Sequence, residues 1–90
     1  MASKRISVTE ARDLLGRLPD AVIVDIRDAY SYDAAHISGS VHLSEQNLEQ
    51  FIKETDSDTA LIVMCYHGIS SQSASAYLSS RGFTETYSLD

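Results

Sequence analysis

The stretch that most constrains this chain is Ala60-Leu61-Ile62-Val63-Met64-Cys65-Tyr66-His67-Gly68-Ile69-Ser70-Ser71. Its unbroken apolar run fits a buried strand, and the run stops at the only cysteine. Small and polar residues follow, and then a segment with apolar residues at helical spacing. A strand that feeds a tight loop and then opens a helix leaves several backbone N–H groups without intrahelical partners, aimed into the loop. Aligned peptide dipoles add partial positive charge there, so a cysteine in that position holds its thiolate more readily. Cys65 is therefore the candidate nucleophile. Cysteine is also a common core residue. A core cysteine belongs inside the apolar run, however, whereas Cys65 stands at its C-terminal end, where ligands bind in open α/β sheets.

The rest of the chain alternates between strand and helix signals. Ser7-Val8-Thr9-Glu10 has the spacing of a capping box, and Val8, Ala11, Leu14, Leu15 and Leu18 recur at helical spacing up to Pro19. Ile6, just before it, fits a short edge strand. Ala21 to Arg27 is a β-branched apolar run that reads as a central parallel strand, buried on both faces. Asp25 and Arg27 at its end point the same way, and as charges at a core edge they are expected to anchor loops by charge-assisted hydrogen bonds. Asp28 caps a short helix over residues 29–33. A turn at Gly39 and a short strand follow, with His36 expected to hold the turn. Ser44 is the expected cap of a third helix that buries Leu48, Phe51 and Ile52, with Glu49 and Lys53 as an i, i+4 pair. The helix after Cys65 runs from Ser70 to Arg81 with Ala74, Tyr77 and Leu78 inward, and Gly82 ends it. Residues 84–89 form a last strand. This alternation predicts an open parallel α/β sheet with helices on both faces, in one domain of 90 residues.

Bulk properties exclude several function classes. Thirteen acidic against seven basic residues leave a net charge of −6, with the basic ones scattered, so no nucleic-acid partner is expected. An anionic substrate then needs a locally positive site, which the amides after Cys65 can supply, with His67 the one potential cation of the loop. No run reaches membrane-span length and no apolar leader segment follows the first residues, so a cytoplasmic protein without a membrane partner is expected. One cysteine allows no internal disulfide, in keeping with a reducing compartment. His36 and His42 lie across a turn without metal-ligand spacing, so neither a metal nor a cofactor is expected.

Val24-Asp25-Ile26-Arg27, Ala35-His36-Ile37-Ser38-Gly39-Ser40, Val63-Met64-Cys65-Tyr66-His67-Gly68 and Thr86-Tyr87-Ser88-Leu89-Asp90 together resemble the signature blocks of single-domain rhodaneses, in register over the whole chain. The likeness is greatest to the GlpE type, whose active loop reads Cys-Tyr-His-Gly-Asn-Ser-Ser. The resemblance implies a rhodanese fold and ping-pong transfer. Cys65 would take the sulfane sulfur of a small anionic donor such as thiosulfate, become a persulfide, and pass the sulfur to cyanide or to a thiol acceptor such as thioredoxin. A persulfide anion needs convergent donors, which the amides of Tyr66, His67, Gly68, Ile69, Ser70 and Ser71 supply if the loop curls round the sulfur. Gly68 suits the curl, and a hydroxyl of Ser70 or Ser71 either adds a donor or caps the helix. Asp25, Arg27 and His36 are expected to be structural supports.

The chain departs from that pattern at Ile69, where the relatives carry asparagine, which predicts an altered donor or acceptor preference. It also stops at Asp90, where the family usually continues with Gly-Gly and a tryptophan-bearing helix. The expectation is a sheet face less well covered, with lower stability or self-association. Three rival functions deserve weight. A cysteine phosphatase needs arginine six residues after the cysteine, where this chain has Ser71. A thiol-redox protein or arsenate reductase lacks a second cysteine to resolve its disulfide. A non-catalytic rhodanese module used for binding or regulation is the remaining alternative, although such modules commonly lose the cysteine.

Overall fold

A computed structural model describes residues 3–66 and 68–90. The chain runs through β1 (Lys4–Ile6), α1 (Val8–Arg17), β2 (Val22–Asp25), α2 (Ala29–Ala34), β3 (Val41–His42), α3 (Leu48–Glu54), β4 (Leu61–Met64), α4 (Ser70–Ser80) and β5 (Thr86–Leu89). The strands form one parallel sheet in the order β1-β5-β4-β2-β3, the open α/β architecture expected from the sequence. No helix among the described residues is long and apolar enough to cross a membrane.

Strand periodicity assigns the two faces. Val24, Leu61 and Val63 point to one side, where they pack with Leu43, Leu78 and Phe83 and with Leu48, Phe51, Ile52 and Ala74 of α3 and α4. Ile6, Ile23, Ile62, Tyr87 and Leu89 point to the other, against Ala11, Leu14 and Leu15 of α1 and Leu18 beyond it. On β5 the alternation is unusual, because Thr86 and Ser88 are buried hydroxyl residues. They lie on the face opposite Tyr87 and Leu89. The helix after the cysteine meets them with Ser71, Ser75 and Leu78, all buried.

Several local expectations hold. Ser7 and Glu10 close the capping box, with Ser7 Oγ accepting from the Glu10 amide at 3.1 Å and Glu10 Oε1 accepting from the Ser7 amide at 2.8 Å. Asp28 Oδ1 accepts from the Ser31 amide at 2.7 Å and caps α2. Ile6 lies in β1 at the sheet edge, beside β5.

Four local expectations are corrected. Ser44 does not cap α3. Its amide donates to Asn47 Oδ1 at 2.7 Å, and that turn delays the helix until Leu48. Glu49 does not pair with Lys53 but reaches across to Arg81 at 2.8 Å, because α3 and α4 lie side by side. Tyr77 is 42% exposed; Leu78 is buried and Ala74 packs on the core as expected, and the other buried positions of α4 are serines, whose small volume lets the helix approach β5 closely. The second strand stops at Asp25, and Val22 and Ile23 at its start are only partly buried.

Candidate active site

Cys65 follows β4 directly and is partly exposed. The parallel register pairs Asp25 with Met64, so the C-terminal ends of β2 and β4 lie together and bring Ile26, Arg27 and Asp28 beside the cysteine. With Tyr66, Ile69 and Ser70 these residues line a cavity of about 380 Å³ over Cys65. A larger depression of about 560 Å³ beside α3 is lined by Glu49, Lys53 and Arg81 and holds no cysteine.

The loop bends at Gly68, which is buried with φ +71°. A Cβ there would sit 3.2 Å from Asp90 Cα and 3.3 Å from the Leu89 carbonyl oxygen, so both the dihedral and the packing call for glycine. Helix α4 then opens with Ile69 at its cap position, a residue without a side chain able to cap. The Ser71 amide instead donates to Cys65 Sγ at 3.2 Å, and the sulfur takes the place an oxygen holds in a serine- or aspartate-capped helix. The capping role weighed for the serine hydroxyls is therefore revised. Neither serine is the cap, and the Ser71 hydroxyl is bonded to Ser88 Oγ at 2.7 Å. Ser70 is exposed at the cavity wall. His67 lies outside the described residues.

Tyr66 ties this loop to α2. Its phenol donates to Asp28 Oδ2 at 3.0 Å and pairs with the Ser31 hydroxyl, and the Arg27 guanidinium lies 5.9 Å from its ring centroid. The Asp28 carboxyl is held below its ordinary value by hydrogen bonds from the Ser31 amide and then from Tyr66 and Ser31 side chains. Nothing in the local sequence signals this bridge, because Tyr66 and Asp28 are distant along the chain. Tyr66 and Ile69, 57% and 70% exposed, form an apolar rim around the cavity mouth.

Asp25 is fully buried and receives the Arg27 side chain at 2.8 and 3.1 Å and the Arg27 amide at 2.9 Å. Burial pushes its carboxyl up, but the side-chain and backbone hydrogen bonds from Arg27 outweigh that and hold it below the ordinary value. Arg27 also donates to the Ala35 carbonyl at 2.7 Å, which fixes the end of α2. His36 donates from Nδ1 to the Tyr32 carbonyl at 2.7 Å and stacks on the Tyr32 ring at 3.8 Å. It thus braces α2 rather than the Gly39 turn, and it is not among the residues lining the cavity. His42 stacks on Tyr32 as well and donates to the Arg27 carbonyl at 2.7 Å. Among the described residues, no His, Cys, Asp or Glu group is placed to hold a metal ion.

The arrangement suits a thiolate that reacts with a ligand entering from outside. The sulfur is reachable, a helix start faces it, and the rim is apolar. Residues 7–90 match the family model described as a rhodanese-like domain. Among curated proteins, the chain is 56% identical over 87 residues to a thiosulfate sulfurtransferase GlpE from Ectopseudomonas mendocina (strain ymp), covering 97% of this chain and 78% of that one. It is 48% identical over 90 residues to the protein of that name from Pseudoalteromonas translucida (strain TAC 125), covering 100% and 85%. Two solved structures share the fold. A rhodanese-like domain from Anabaena superposes with a TM-score of 0.82 at 21% identity, covering 100% of this chain and 69% of that one. A human single-domain sulfurtransferase superposes with a TM-score of 0.78 at 20% identity, covering 98% and 88%. With the sheet order, the cysteine loop and the match from residue 7 onward in agreement, the chain belongs to the rhodanese-like domain family.

Proposed function

We propose that the chain is a thiosulfate sulfurtransferase in which Cys65 carries the transferred sulfur. The Cys65 thiolate attacks the sulfane sulfur of thiosulfate. A Cys65 S–S bond forms as the donor's S–S bond breaks, and sulfite leaves with the electron pair. An acceptor then attacks the outer sulfur of the persulfide and releases Cys65 as thiolate. Cyanide serves as acceptor in an assay, and a protein thiol of the thioredoxin kind is the acceptor we assign in the cell.

The single observation that carries this reading is the Ser71 amide aimed at a reachable Cys65 sulfur, at 3.2 Å, across the mouth of α4. An anionic sulfur is favoured there in both the resting and the persulfide state. The names of the relatives that share about half of its residues support the donor. A binding-only module has no use for a helix start built onto a thiol, so the catalytic reading is preferred.

Intact-mass measurement after incubation with thiosulfate tests the proposal. One added sulfur, removed by a thiol reductant and absent from Cys65→Ser, is the expected result, and transfer to cyanide falls to background in that variant. Transfer that survives in Cys65→Ser, or a wild-type chain that never gains the sulfur, overturns it.

A further inference from the structure

We propose that Ser88 is a positioning residue for the sulfur centre, acting through Ser71; the inference rests on Cys65 being the sulfur carrier. Ser88 is on β5, is fully buried, and lies with its Oγ 2.7 Å from that of Ser71, which is fully buried too. The amide of the same Ser71 donates to Cys65 Sγ at 3.2 Å. Helix α4 has no side-chain cap; within its first turn Gln72 Nε2 donates to the Gly68 carbonyl at 2.6 Å, and the Ser71–Ser88 pair is a bond that reaches from that turn to the sheet. The hydroxyl pair pins that first turn to the sheet and thereby sets the direction of the Ser71 N–H.

A second serine on the same helix supplies the contrast. Ser75 is equally buried, one turn further along, and its Oγ has no hydrogen-bond partner among the described residues. Close approach of α4 to β5 therefore requires small side chains but not a paired hydroxyl. The pairing at the sulfur end serves something beyond packing. Loss of the Ser88 hydroxyl leaves that of Ser71 buried and unpaired, and Ser71 reorients to recover a partner.

The test compares Ser88→Ala with Ser75→Ala, two deletions of a buried hydroxyl in the same seam. The pH dependence of Cys65 alkylation by iodoacetamide reports the thiolate without any turnover. Ser88→Ala is expected to raise the alkylation midpoint by about half a pH unit and to lower sulfur transfer from thiosulfate about threefold to tenfold. Ser75→Ala is expected to leave both at the wild-type level. The double variant Ser71→Ala/Ser88→Ala removes both hydroxyls, keeps the Ser71 amide, and leaves no unpaired oxygen. It keeps the test available if Ser88→Ala folds poorly: having lost the pin, it is still expected to raise the alkylation midpoint above wild type, by no more than Ser88→Ala does. Equal alkylation profiles for wild type, Ser88→Ala and the double variant overturn the inference, as does an equal shift in Ser75→Ala. A wild-type chain that alkylates normally but takes no sulfur from thiosulfate refutes the sulfur-carrier reading instead.

Discussion

At Gly68 two constraints that usually occur apart fall on one residue. Its φ of +71° disfavours any side chain, and a Cβ would press on the backbone of Leu89 and Asp90 at 3.3 and 3.2 Å. Backbone cannot swing aside as a flexible side chain can, so Gly68→Val must displace the loop that carries Cys65. The strain is worth about 1–3 kcal/mol, and a displacement near 1 Å at a reacting atom costs about a hundredfold in rate. Tyr66→Phe keeps the ring beside Arg27 and loses the phenol bonds to Asp28 and Ser31, for a loss of about threefold. Steady-state kcat/KM for thiosulfate in the two variants checks the ranking, and equal losses contradict the view that main chain rather than side chain shapes the site. The need for glycine here was legible in the loop sequence. Its contact with Leu89 and Asp90 was not, since it depends on how β5 lies against the loop.

The junction after β2 shows how an element can depend on one ionisation. Asp25 is buried, yet Arg27 holds its carboxyl below the ordinary value of 3.8, so the folded chain favours the charged form. The sign follows from linkage. A carboxyl with a depressed folded pKa contributes stability that is present above its unfolded value and is lost as the pH falls through the folded one. Asp25→Asn should therefore be less stable than wild type at neutral pH. Its loss of stability on acidification below the ordinary carboxylate range should also be shallower. Urea unfolding at neutral pH and at a series of acidic values measures both, and parallel acid slopes rule out the assignment. The sequence located the Ser7 capping box because its residues are only three apart, whereas for Asp25 and Arg27 it showed two charges expected to anchor loops and not their mutual ion pair. It misplaced the partner of Glu49 and the start of α3 for the opposite reason. Arg81 is brought to Glu49 only when two helices pack, and the Ser44–Asn47 turn competes with the helix through a side chain that propensity does not weigh. The Ser71–Ser88 pair was hidden likewise, since two serines on separate elements carry no spacing signal.

For the molecule as a whole, charge decides how a donor arrives. The net charge is −6, and three of the seven basic residues are already committed, Arg5 to Asp90, Arg27 to Asp25 and Arg81 to Glu49. Among the described residues, Arg27 is the one cation lining the cavity, it is paired, and Asp28 lies beside it. Thiosulfate, a dianion, thus approaches against a repulsive field and meets attraction within reach of the helix start, whose influence fades within about one turn. Salt screens the long-range repulsion more than the contact at the sulfur, since the screening length shrinks from about 30 Å at 0.01 M to about 8 Å at 0.15 M. Raising ionic strength across that range should increase kcat/KM for thiosulfate by about twofold to fivefold. The second half-reaction, in which a thiol acceptor attacks as a singly charged thiolate, should change less than the first. Stopped-flow measurement of persulfide formation and discharge at a series of chloride concentrations separates the two steps. A rate of persulfide formation that falls with salt would mean that local attraction governs donor capture, and that a cation beyond the paired arginines faces the sulfur.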